Sequence, residues 1–117
     1  MSRRTIGLVA AGALLLGAIA GCIYVGNIRP IAVLVATPTS GTSPLDVDFD
    51  ASGSSDPDGA IAAYQWDFGD GQTPSTTALV THTYIVQSES RVFTVILTIT
   101  DDLGGTDQAF VNIAVDP

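Results

Sequence analysis

Two kinds of hydrophobic pattern divide this chain. Residues 5–28 run without a charge, and from Ile6 to Ile19 they are only Ala, Leu, Gly, Val and Ile. Beyond Pro30 the apolar residues instead come in short runs that alternate with polar ones. Ile31–Ala36 is an apolar β-branched run, followed by a turn cluster from Pro38 to Pro44. Leu45–Ala51 alternates strictly, with Leu45, Val47, Phe49 and Ala51 on one face and Asp46, Asp48 and Asp50 on the other, as in a half-buried strand. Ser52–Gly59 reads as a loop. Ile61–Phe68 reads as a strand carrying Tyr64, Trp66 and Phe68 on one face. Gly69-Asp70-Gly71 turns the chain, and Thr76–Tyr84 is a weaker strand. Val92–Thr100 sets Phe93, Val95, Leu97 and Ile99 against Thr94, Thr98 and Thr100. After a turn at Leu103–Gly105, the strand Gln108–Val115 places Ala109, Val111, Ile113 and Val115 inward. No helical period of useful length interrupts this series. Six or seven short strands at this spacing predict an all-β sandwich.

The N-terminal segment has a different task. Arg3 and Arg4 precede the apolar stretch, and small residues follow it, which is the layout of an export signal. The arginines stay on the cytoplasmic side. Ile19-Ala20-Gly21-Cys22 resembles the lipobox of prokaryotic lipoproteins, in which an apolar residue and two small ones precede a cysteine. That resemblance implies lipidation of Cys22 and removal of residues 1–21. Cys22 is the only cysteine, so no intramolecular disulfide exists and an unpaired exported thiol needs a reason. The other reading keeps residues 5–28 as an uncleaved signal anchor, since such a length spans a bilayer. Both readings hold the exported part at a membrane. Ser2–Ile6 also resembles the start of a twin-arginine signal, although Gly7 stands where a bulky apolar residue is usual. The predicted organisation is therefore a signal segment 1–21, a lipidated tether 22–30 and a sandwich domain 31–115.

Charge narrows the partners. Twelve acids face four arginines and no lysine, for a net charge of −8. All twelve acids lie beyond Cys22, where only Arg29 and Arg91 oppose them. Such a surface repels phosphate and excludes nucleic acid as a partner. It suits solubility, cation binding or a high-salt habitat.

Three segments carry more than strand patterning. They are Phe49–Gly59 (FDASGSSDPDG), Tyr64–Gly71 (YQWDFGDG), and Thr94–Asp102 (TVILTITDD), the last preceded by Thr81–Tyr84 (THTY). In this order and spacing they resemble the polycystic-kidney-disease (PKD) repeat family. The resemblance covers residues 30–115 and departs at Glu89-Ser90-Arg91, where the family has a glycine turn. It implies an immunoglobulin-like sandwich of about seven strands and a role as an extracellular binding or spacing module. Most of the motif chemistry is structural. Asp56-Pro57-Asp58-Gly59 reads as a type I turn, Phe49, Tyr64, Trp66 and Phe68 as core, and Gly69 and Gly71 as positions for positive φ. A sharper reading is a calcium site. Asp56 and Asp58 share a loop and Asp67 projects from the next strand, and Ca²⁺ takes six to eight hard oxygen ligands. The loop has neither the ligand spacing nor the bidentate Glu of an EF-hand.

Catalytic chemistry finds no support. His82 is the only histidine, and the family resemblance of Thr81–Tyr84 implies a strand residue bonded to a neighbouring loop. No Ser/His/Asp order, Cys/His pair or zinc spacing occurs. The carboxylates sit on Thr/Ser/Gly turns rather than in an apolar pocket that raises a pKa. The chain thus reads as a non-catalytic, membrane-tethered module binding an envelope protein or a glycan. A second reading makes it a subunit of a surface layer or filament, self-associating through exposed strand edges.

Overall fold

The computed structural model describes residues 26–72 and 75–117. The apolar segment and Cys22 lie outside the described residues. The rest forms seven strands: β1 (Val35–Thr37), β2 (Ser40–Thr42), β3 (Leu45–Asp50), β4 (Ile61–Asp67), β5 (Leu79–Tyr84), β6 (Arg91–Asp101) and β7 (Thr106–Asp116). They make two sheets, ordered β1-β3-β5 and β2-β7-β6-β4. All pairings are antiparallel except β2 on β7.

The predicted alternation governs which faces meet. Val47, Phe49 and Ala51 from β3 and its end pack against Trp66 and Phe68 on the β4 side. Phe93, Val95, Leu97 and Ile99 from β6 join Ile113 and Val115 from β7 in the same core. Phe49, Trp66 and Phe68 are in aromatic contact at centroid distances of 5.5–6.2 Å. Tyr64 is half-buried against this cluster. Two buried aromatics satisfy their polar ends on loop backbone: Trp66 Nε1 donates to Thr77 O at 2.7 Å and Tyr84 OH donates to Phe68 O at 2.8 Å. Buried indole and phenol groups need such partners.

The N-terminal strand differs from its sequence pattern. The apolar run Ile31–Ala36 becomes a strand only at β1; before it, Ile31 forms an isolated bridge with Ser55. The cluster Pro38–Pro44, which reads as a turn, contains β2. There the chain passes from one sheet to the other, and Pro38 and Pro44 each follow a cis peptide bond. Ala114 N donates to Thr39 O at 2.9 Å and Ser43 N to Asp116 O at 2.7 Å, fixing β2 to β7. Ser-Gly-Thr has no apolar alternation because an exposed edge strand buries no side chain. The weaker strand is shorter than its pattern, starting at Leu79 rather than Thr76.

The outer faces of the two sheets are chemically unlike. On β3, Asp46, Asp48 and Asp50 point away from the core. Thr83 Oγ1 donates to Asp46 Oδ1 at 2.5 Å and Thr81 Oγ1 to Asp48 Oδ1 at 2.6 Å, across the β3–β5 pair. On the outer face of β6 and β7, from Val92 to Thr100 and Thr106 to Ala114, no outward side chain is charged.

Candidate functional site

At one pole of the sandwich the β3–β4 loop meets the end of β6. The loop turns at Asp56–Gly59, where Gly59 N approaches Asp56 O at 3.5 Å. Asp101 ends β6 and is 2% exposed, the buried acid among the described residues. Its place follows from strand parity, for it continues the inward series Phe93, Val95, Leu97, Ile99 by two residues. Carboxylate oxygens of Asp56, Asp58 and Asp101 lie within 4.8 Å of one another.

The three acids differ in what they touch. Asp101 Oδ1 accepts from Leu103 N at 2.9 Å and Gly105 N at 2.7 Å, and its Oδ2 accepts from Asn27 Nδ2 at 2.6 Å. Burial pushes its pKa up, but these donors, with Gly104 N, outweigh it and leave the carboxyl below its ordinary value. Asp58 Oδ2 accepts from Ile28 N at 2.9 Å. Asp56 has no such help. Both of its carboxylate oxygens are buried without a hydrogen-bond partner. Burial raises its pKa, and the Asp58 carboxyl and the charge of Asp101 raise it further.

A buried carboxylate without donors, beside two others, is the electrostatic demand that a hard cation answers. The space is also shaped for one. A Cβ built at Gly59 would stand 2.6 Å from Asp102 Oδ1 and 2.9 Å from Asp56 Oδ2, so glycine keeps the gap between those carboxylates clear. Oxygen-only donors fit Ca²⁺ rather than a metal that prefers nitrogen or sulfur.

Asp56 and Asp58 are thus brought together, as expected from their shared loop. Asp67 is not in the group. β4 runs away from the β3–β4 loop, and the residue-to-residue steps from Ile61 to Asp67 carry it about 20 Å along the strand. There Asp67 Oδ1 accepts from Gly69 N at 2.9 Å. Asp101 and Asn27 were missed by sequence reasoning. An acid in the inward phase of a strand was the available signal for Asp101; Asn27 carried none.

The far pole holds His82. On β5, its Nε2 lies 2.7 Å from Asp70 Oδ2 in the β4–β5 connection, and its ring stacks on Phe68 at 4.0 Å and 8°. Tyr84 meets it edge-on at 4.8 Å. The expected bond to a neighbouring loop is present. The pair braces the Gly69–Gly71 turn, where both glycines have positive φ.

A two-sheet sandwich with a buried Trp on β4 and its first strand divided between the sheets defines an immunoglobulin-like module. The chain belongs to the PKD domain family, whose model matches residues 27–115. It is 43% identical over 89 residues to collagenase ColA of Clostridium perfringens, covering 76% of this chain and 8% of that protein. The crystal structure of the PKD1 domain from the Vibrio cholerae metalloprotease PrtV aligns with a TM-score of 0.62 and 38% identity, covering 77% of this chain and all of that domain (100%). A structure of carbohydrate-binding modules from the β-sandwich superfamily aligns with a TM-score of 0.70 and 33% identity, over 78% of this chain and 36% of that one. The chain therefore spans a small part of the protease relative, and the part it shares is a non-catalytic module.

Proposed function

We propose that this protein is an extracytoplasmic PKD-domain lipoprotein, held to a membrane by lipid on Cys22, that works as a non-catalytic binding module for protein or glycan partners. The observation that carries the reading is the family unit itself, which accounts for residues 27–115. Its relatives include collagenases and a metalloprotease, and its structural neighbours include carbohydrate-binding modules, which supports a role in holding a partner. Residues 19–22 support the anchor. Asp56, Asp58 and Asp101 are the proposed Ca²⁺ ligands, with Asp102 beside them. The ion would supply the positive charge that Asp56 lacks and draw together the β3–β4 loop, the end of β6 and the chain at Asn27–Ile28.

The anchor and the cation are tested separately. Cells carrying Cys22→Ser should release the protein from the membrane fraction, and mass spectrometry of the native N-terminus should find acyl groups on Cys22. Retention of the variant with an intact segment 1–21 would instead establish the signal anchor. Calorimetric titration of Ca²⁺ into the purified protein should give heat and raise the melting temperature. Neither effect at millimolar calcium would remove the cation from the proposal.

A further inference from the structure

Phe110 lies on the outer face of the four-stranded sheet and is 63% exposed. A single exposed aromatic is ordinary; its surroundings are not. The chain carries twelve acids, yet the outward side chains of β6 and β7 around Phe110 are uncharged. Ile96 stands opposite Phe110 on β6 and widens the apolar surface. Beside them a shallow depression of about 290 Å³ is lined by Gln65, Asp67, Ile96, Thr98 and Gln108. Gln108 Nε2 donates to Thr98 Oγ1 at 2.9 Å, which holds the amide in place and turns its carbonyl free. On the other side of Phe110, Thr94 Oγ1 donates to Asn112 Oδ1 at 2.8 Å, leaving the Asn112 amide N–H groups free.

From these contacts we infer that this face binds a neutral polysaccharide, with Phe110 as the platform under a sugar ring. The inference rests on the binding-module reading above and assigns it a site and a ligand class. A pyranose offers an apolar C–H face and a rim of hydroxyls. Phe110 and Ile96 meet the first, since aromatic rings gain most from apolar contact across their faces. Gln108 accepts from, and Asn112 donates to, hydroxyls about 7 Å on either side of Phe110, two residues along the strand. Both amides are already oriented by threonine partners, so little side-chain freedom is lost on binding. Charge selects the class. Asp67, on β4 opposite Ile96, bars a uronate, while the uncharged outward side chains of β6 and β7 put no ion directly beneath a neutral chain to be desolvated and left unpaired. A second copy of this acidic chain fits less well, because its whole-molecule charge repels.

The test is retention of the full-length protein, in detergent, on insoluble cellulose and chitin, with polygalacturonate as the charged control. Retention on at least one neutral polymer and none on polygalacturonate is expected. Phe110→Ala should lower the bound fraction at least tenfold with the melting temperature unchanged, and Phe110→Trp should keep or strengthen it. Equal retention of wild type and Phe110→Ala would overturn this site while leaving the binding-module reading intact. So would a dimer in size-exclusion chromatography that Phe110→Ala dissolves, which would assign the face to self-association. If wild type binds neither neutral polymer, the ligand class is wrong. The broader reading then stands or falls on cross-linking capture of an envelope partner by wild type and variant alike.

Discussion

Asp56 keeps two buried carboxylate oxygens without a donor, while its neighbour Asp101 receives three hydrogen bonds. The two acids therefore act on stability with opposite signs. A carboxyl whose folded pKa is lowered, as for Asp101, adds stability above the unfolded value and loses it as pH falls through the folded one. One whose folded pKa is raised, as for Asp56, favours the fold while protonated and costs stability as pH rises through the folded value. In calcium-free buffer, Asp56→Asn should raise the melting temperature at neutral pH. The gain should vanish below about pH 4, where an ordinary aspartate also protonates. With millimolar Ca²⁺ the order should reverse, since the variant lacks the ligand. A variant no more stable than wild type at pH 7 without calcium would show that Asp56 bears no electrostatic burden. Part of this site was legible beforehand. Asp56 and Asp58 are five and seven residues beyond Ala51 in one turn, and local spacing sufficed to join them. Asp67 misled because proximity in sequence along an extended strand means distance in space.

At the scale of elements, strand parity was the dependable signal. Every residue assigned inward on β3 and β6 lies against the core or near it. What parity could not see was β2, whose three residues contribute backbone rather than side chains. Turn chemistry was legible where glycine was obligatory. Gly69 and Gly71 have φ of 80° and 77°, but their surroundings differ. A Cβ at Gly69 would stand 2.5 Å from Thr94 O, whereas one at Gly71 would meet nothing within 4 Å. Gly71→Ala should therefore cost only the left-handed backbone penalty, about 1–2 kcal/mol. Gly69→Ala should cost clearly more, because β4's end must also move off β6. Denaturant unfolding of the two variants measures the difference. Equal losses would mean that the β4–β5 turn shifts freely over Thr94.

For the whole molecule the governing quantity is charge. Twelve acids and only two arginines, Arg29 and Arg91, lie on a fold in which the sole acid–base contact among the described residues is Asp70 with His82. Acids on β3 are held by threonines, not by cations. Like charges at this density repel through solvent and are screened at a Debye length of about 10 Å in 0.1 M salt and about 3 Å in 1 M. The melting temperature should thus rise by several degrees over that range of sodium chloride, in calcium-free buffer. A flat profile would place the acids too far apart to interact. This property was fully readable in composition, whereas the separation of an acidic face from an uncharged one needed the register of β6 and β7.

The parallel pairing of β2 with β7 bears on how the domain carries load. The chain joins the sandwich at the pole of Asn27 and Asp101, while Val115 pairs with Arg91 at the opposite end of β6. Tension drawn between Asn27 and that far pole pulls β2 and β7 past each other along their common direction. Ser40, Gly41 and Thr42 face Ala114, Val115 and Asp116 in register, so their bonds share the force side by side. An antiparallel hairpin pulled from its open end yields one rung at a time. Here the rungs resist together, and three residues that look like a turn become the latch of the module under load.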